Sequence, residues 1–144
     1  MNKYFLSLIG LLGIVAISCT NPESNTTDVN ATTEQTTAQV KNVKVSDLKS
    51  AITENASVTV LDVRTAGEVA EGFVANAENI DVNGNAFDAG VQDLEKSQTV
   101  YVYCRSGHRS MIASKKLIAM GFTDVRNVDG GFMAWEQAGF PVAK

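Results

Sequence analysis

Histidine and tryptophan each occur once in this sequence, cysteine and proline twice. Each scarcity closes a class of function. One histidine with Cys19 and Cys104 cannot assemble a plausible metal ligand set. No C-x-x-C occurs, so dithiol redox cycling has no resolving partner. Basic residues are few as well. Lysine and arginine number 12 against 16 aspartates and glutamates, a net charge of -4. That balance argues against nucleic acid as a main partner. There is no Walker loop, no dinucleotide fingerprint and no internal repeat, and no cofactor is implied. A chain of 144 residues allows one compact domain and little more.

The apolar run Tyr4 to Ile17 is too short for a comfortable transmembrane helix and about right for the core of a signal peptide. Met1-Asn2-Lys3 supplies its positive start. Ala16 and Ser18 place small residues just before Cys19, which resembles the lipobox of bacterial lipoproteins. An ordinary secretory signal that happens to contain a cysteine is the plainer alternative. The resemblance implies that residues 1–18 are removed and that Cys19 is acylated. The protein would then be lipid-anchored to a membrane of the bacterial cell envelope, with its domain outside the cytoplasm. Residues 19–42 would be the lipidated cysteine and a flexible polar tether. Thr20 to Asn42 is dominated by Thr, Asn, Gln and acids, and cannot bury enough apolar surface to offset its ordering entropy. Sugar attachment is a second use for such a segment.

From residue 43 to residue 144 the text alternates between short apolar runs and helical patterns. NVKVS reads as a short strand, and Ser46 is placed to cap a helix DLKSAITE. SVTVLDV and TVYVY are continuous runs of the kind buried on both faces of a sheet. TAGEVAEG reads as a short helix, AENIDV as a strand and NAFDAGVQDLEK as a weak helix. SMIASKKLIAMG is helical with Gly121 as its stop. TDVRNV is a further strand, and GGFMAWEQAG a last helix closed by Gly139. Repeated strand–helix alternation predicts an α/β fold with a parallel sheet and helices on both faces. Sites in such sheets form at the carboxyl ends of strands.

Cys104 lies at one of those ends. If Cys19 carries lipid, Cys104 has no intramolecular partner in an oxidising compartment. The turn that follows it suits a thiolate, the form of cysteine that reacts. Backbone N–H groups after Cys104 can point inward, and a helix starting near His108 or Arg109 adds its positive end. Arg105 and Arg109 add cationic charge that can also attract an anionic substrate. Ser106 and Gly107 keep the turn small. His108 has the chemistry of an acid, a base or a donor near neutral pH, and equally fits an exposed loop residue. The bland alternative is a small buried hydrophobe at Cys104 and a solvated face at the arginines.

Three motifs together resemble a rhodanese-like (sulfurtransferase) domain over Val43 to Lys144. They are VLDVRTAGEVAEG at Val60 to Gly72, CRSGHRS at Cys104 to Ser110, and VDGGFMAWEQAGFPV at Val128 to Val142. The resemblance implies the rhodanese-like three-layer α/β fold, with a parallel five-stranded sheet and helices on both faces. It implies that Cys104 is the persulfide-forming nucleophile, with Arg105, Ser106, Gly107, His108 and Arg109 as the loop that holds the sulfur anion. Asp62 and Arg64 are expected to brace the site through ion pairs, with Glu68 as a candidate partner. Gly130, Gly131 and Trp135 read as packing. The stretch GFVANAENIDV departs from the family pattern, so a different packing of the loop beside the site is expected.

The expected chemistry is transfer of a sulfane sulfur from thiosulfate, a polysulfide or a persulfide to a thiol or cyanide. Expected partners are small sulfur-containing anions, a thiol acceptor and a thioredoxin-like reductant. A non-catalytic persulfide carrier or binding module is an alternative from a different class. A phosphatase or arsenate reductase is a weaker one, because its related cysteine–arginine loop is one residue longer than the stretch from Cys104 to Arg109.

Overall fold

A computed structural model describes residues 38–54 and 58–144. The expected signal segment, Cys19 and the tether as far as residue 37 lie outside the described residues.

The elements run β1 (Lys41–Val43), α1 (Val45–Glu54), β2 (Thr59–Asp62), α2 (Ala66–Ala70), β3 (Glu78–Asn79), α3 (Phe87–Gly90), β4 (Thr99–Tyr103), α4 (His108–Ala119), β5 (Asp124–Val128) and α5 (Gly131–Gln137). The strands form a five-stranded sheet in the order β1-β5-β4-β2-β3, and every pairing is parallel. This is the α/β architecture the alternation predicts.

Side chains along a strand point to opposite faces in turn, and β4 divides its residues accordingly. Val100 and Val102 join Leu61, Val63 and Val125 under Phe87, Val91, Ala113 and Leu117 of the α3–α4 side. Tyr101 and Tyr103 join Val60 and Val128 under Leu48, Phe132 and Trp135 of the α1–α5 side. Two cores, one on each face, explain why the central strands read as unbroken apolar runs.

Register sets the position of the site. Thr59 lies opposite Val100, and Asp62 opposite Tyr103, so β2 and β4 end level with one another. Cys104 follows directly, at the carboxyl edge of the sheet. Asn79 closes the neighbouring strand end, its side-chain N–H donating to the carbonyls of Asp62 and Arg64 at 2.9 Å each.

Several local expectations shift. The first strand spans Lys41–Val43 rather than the NVKVS of residues 42–46, because its pairing to β5 is reinforced by side chains the polar text does not advertise and α1 already begins at Val45. Lys41 contacts Asp124 at 2.9 Å, and Asn127 Nδ2 donates to Asn42 Oδ1 at 2.9 Å. Ser46 does not cap α1. The helix starts at Val45, and Asp47 accepts from the Lys44 N–H at 2.9 Å, reaching back from inside the first turn. The strand expected over AENIDV has only two ladder residues, although Ile80 N–H still donates to Asp62 O at 3.0 Å. The weak helix over NAFDAGVQDLEK contracts to Phe87–Gly90, and Gly90 packs where a Cβ would lie 3.0 Å from Ile80 Cγ2. The divergent GFVANA loop is pinned at its start. Phe73 bridges to Ala143, and Tyr103 Oη accepts from the Val74 N–H at 3.1 Å.

Candidate active site

Cys104 leaves β4 and turns immediately, buried to 1% exposure. Gly107 makes the turn possible with φ 99°, a left-handed value open to glycine, and serves as the N-cap of α4. Its N–H donates to Cys104 Sγ at 3.2 Å. Burial alone would push the thiol up. The hydroxyl and N–H of Ser110 and the N–H groups of Ser106 and Gly107 outweigh that, and hold the thiol below its ordinary value.

The loop is aimed by α5. Phe132 N–H donates to Cys104 O at 2.8 Å, and Met133 N–H to Arg105 O at 3.0 Å. Drawing these carbonyls outward leaves the following amides free to turn toward sulfur. Gly131 permits the close approach. A Cβ there would overlap the Cys104 carbonyl oxygen and lie 2.8 Å from the carbonyl atoms of Arg105. The Gly-Gly pair is therefore packing, directed at the backbone of the loop itself.

Two ion pairs flank the loop. Asp62 and Arg64 form a buried one, with Arg64 Nη2 2.6 Å from Asp62 Oδ2 and Nε donating to both carboxylate oxygens. Arg64 also donates to Gly72 O at 2.8 Å, and its guanidinium lies 4.1 Å from the Phe132 ring centroid. Tyr103 donates to Asp62 Oδ2 at 2.6 Å, and burial together with that carboxylate raises the phenol well above its usual value. This cluster ties β2, β4 and the loop after α2 together.

The second pair changes an expectation. The Glu68 carboxylate binds Arg109, and the Arg64 side chain reaches only the Glu68 carbonyl, at 3.4 Å. Arg109 donates from both terminal nitrogens to Glu68, at 2.7 and 2.6 Å. Glu68 also completes a capping box with Thr65, and with the Arg109 bonds its carboxyl falls to about 2. Arg109 is thus committed to a carboxylate instead of standing free to attract substrate. Arg105, Ser106 and His108 are exposed. Arg105 lines a shallow hollow with Arg64, Glu71, Phe132, Met133 and Glu136. The structure therefore brings all the expected loop residues around one thiol. It gives the inward-facing work to Ser106, Gly107 and Ser110, and turns the arginines outward or onto a partner.

Sequence reasoning assigned nothing to Ser110 and Asn127. Ser110 Oγ donates to Asn127 Oδ1 at 2.7 Å and to Gly107 O at 3.0 Å, and both residues are buried. A signal was available: an asparagine stands beside the buried Val128 at the end of the strand TDVRNV.

The fold agrees with what comparison with known proteins finds. Residues 44–138 match the Rhodanese-like domain, and the chain belongs to that sulfurtransferase family. It is similar to a sulfurtransferase of Allochromatium vinosum, 29% identical over 72% of this chain and 94% of the relative. The Bacillus subtilis protein YtwF is 37% identical over 68% of this chain and 92% of its own length. Among solved structures, a rhodanese-related protein from Thermoplasma volcanium superposes with a TM-score of 0.63 and 32% identity, covering 72% of this chain and 97% of that one.

Proposed function

We propose that the protein is a sulfurtransferase that carries a sulfane sulfur as a persulfide on Cys104. The observation that carries this reading is a buried thiol at the carboxyl end of β4 that accepts from the Gly107 N–H at 3.2 Å, in a loop whose hydrogen-bond donors hold it below its ordinary value. The Cys104 thiolate attacks the outer sulfur of thiosulfate, a polysulfide or a persulfide. The donor's S–S bond breaks, and sulfite or a thiolate leaves with the electron pair. The new terminal sulfur is anionic, and the same donors suit it. A nucleophilic acceptor, cyanide or a thiolate, then takes that sulfur and returns the Cys104 thiolate. Arg105 supplies exposed positive charge near the mouth, while Asp62, Arg64, Glu68 and Arg109 hold the loop in shape.

The phosphatase alternative loses ground on Arg109. An oxyanion clamp needs that guanidinium free, and here both its terminal nitrogens bind Glu68. Intact mass of the reduced protein before and after thiosulfate or polysulfide tests the main reading. One added sulfur, removed by cyanide and missing in Cys104→Ser, is expected; no adduct with any sulfane donor sinks it. Repeated turnover with cyanide separates an enzyme from a carrier. We further place the protein at the bacterial cell envelope, held by lipid on Cys19. Incorporation of a fatty-acid label that Cys19→Ser does not abolish would end that placement.

A further inference from the structure

The shallow hollow beside the thiol loop carries charges that sulfur transfer on Cys104 does not itself require. Arg105 forms one side of it, directly after Cys104. Phe132 and Met133 form another, and their N–H groups hold the carbonyls of Cys104 and Arg105. The hollow therefore shares its wall with the backbone that carries the sulfur. Its volume of about 100 Å³ suits the head group of a small molecule and not a macromolecule.

Part of the charge around it is already answered. Arg64 contacts Asp62 at 2.6 Å, and Arg109 contacts Glu68 at 2.6 Å. Arg105, Glu71 and Glu136 are exposed and, among the described residues, enter no ion pair. That leaves two carboxylates against one guanidinium. Glu136 stands on the face of α5 that also presents Phe132 and Met133, and Glu71 closes the last turn of α2.

A second observation comes from Arg64, which lines the hollow at only 3% exposure. Its Nε and Nη2 donate to Asp62 and Gly72. Nη1 carries two N–H bonds, and among the described residues it finds one acceptor, the Glu68 carbonyl at 3.4 Å. A buried donor without a partner is costly, so an oxygen entering the hollow is welcome there. The hollow thus suits an ammonium on one side and a carboxylate oxygen on the other. A plain dianion such as thiosulfate meets two like charges, whereas a plain cation leaves both arginines unanswered.

We propose that this hollow is an acceptor subsite for a zwitterionic amino-acid thiol, its ammonium on Glu71 and Glu136 and its carboxylate on Arg105 and Arg64 Nη1. The proposal rests on the sulfurtransferase reading and names the acceptor class for it. In the transfer step the thiol sulfur bonds to the outer sulfur of the Cys104 persulfide. The Cys104 S–S bond breaks, its electron pair stays on Cys104, and the thiol proton goes to the product persulfide.

Glu71 and Glu136 are exposed, so the double variant Glu71→Gln/Glu136→Gln spares the core. The full chain is loaded with polysulfide and freed of excess donor. Intact mass then follows loss of the added sulfur to cysteine, cysteamine, 3-mercaptopropionate or 2-mercaptoethanol. Rates divided by that for the neutral 2-mercaptoethanol cancel any change in the persulfide itself. The double variant should lower the ratios for cysteine and cysteamine about fivefold, on the scale of two exposed ion pairs, and raise the ratio for 3-mercaptopropionate. Arg105→Gln should reduce transfer to cysteine more than transfer to cysteamine, which lacks the carboxylate. An equal loss for both would remove the carboxylate from the arginines and overturn the zwitterionic acceptor. Unchanged ratios in the double variant, with the persulfide formed and passed on, overturn the subsite and leave the sulfurtransferase reading intact. A persulfide that never forms overturns both.

Discussion

Two helices, α4 and α5, begin against the same stretch of backbone around Cys104, and they use it in opposite ways. Both are preceded by a left-handed glycine, Gly107 at φ 99° and Gly130 at φ 72°. The start of α4 directs N–H groups at the sulfur, whereas α5 spends its first N–H groups on the carbonyls of Cys104 and Arg105. One helix start tunes charge and the other sets direction. The loop needs both, because a peptide unit cannot present its N–H inward unless its carbonyl finds a partner outward. The same glycine-first grammar thus serves chemistry in one place and architecture in the other.

Breaking the architectural side should have the largest effect. Gly131→Ala introduces a Cβ into the carbonyls of Cys104 and Arg105 at φ 55°, where no flexible side chain can yield. A stability loss of about 3 kcal/mol or more is expected, read by urea unfolding. Wild-type stability in this variant would show that α5 does not hold the loop. Gly107→Ala should cost less, about 1–2 kcal/mol for its φ of 99°, since the nearest atom to its Cβ is Gly130 N at 3.3 Å. Its mark should fall on chemistry instead, with the alkylation midpoint moving up as the N–H at 3.2 Å turns away. A stability loss with an unchanged midpoint would place the charge stabilisation elsewhere in the loop.

The smallest effect sharpens the contrast from outside. Glu68 has its pKa lowered from 4.5 to about 2 in the folded state, chiefly by Arg109. A depressed carboxyl adds stability above its unfolded value, and that contribution is lost as pH falls from about 4.5 toward 2. Both side chains of the pair are 22–23% exposed, so screening trims the contribution to about 1 kcal/mol. Melting temperature should therefore fall between pH 5 and pH 2.5 more steeply in the wild type than in Glu68→Gln. Parallel curves would mean that the pair does not brace the loop.

Much of this was legible in the text. TVYVY running into Cys104 announced a strand buried on both faces, and the small, turn-forming Ser106-Gly107 announced a helix start. What failed was mostly partner assignment. Glu68 stands four residues from Arg64 in the chain and was given to it, yet it binds Arg109, which is 41 residues away. The first strand started early for the same reason, since Lys41 and Asn42 look like tether until Asp124 and Asn127 are beside them. Local pattern reports how a residue folds its own neighbourhood, and says little about which distant polar group will be waiting there.

Alternation, burial pattern and the position of one cysteine at a strand end were therefore determined by the sequence alone, because they follow from periodicities of two and 3.6 residues acting over short spans. Which arginine would be committed, which serine would face the sulfur and which asparagine would stand behind it were decided only in three dimensions. Parallel crossovers bring strand ends from far apart in the chain to one edge of the sheet, and a hydrogen bond forms only where donor and acceptor arrive about 3 Å apart.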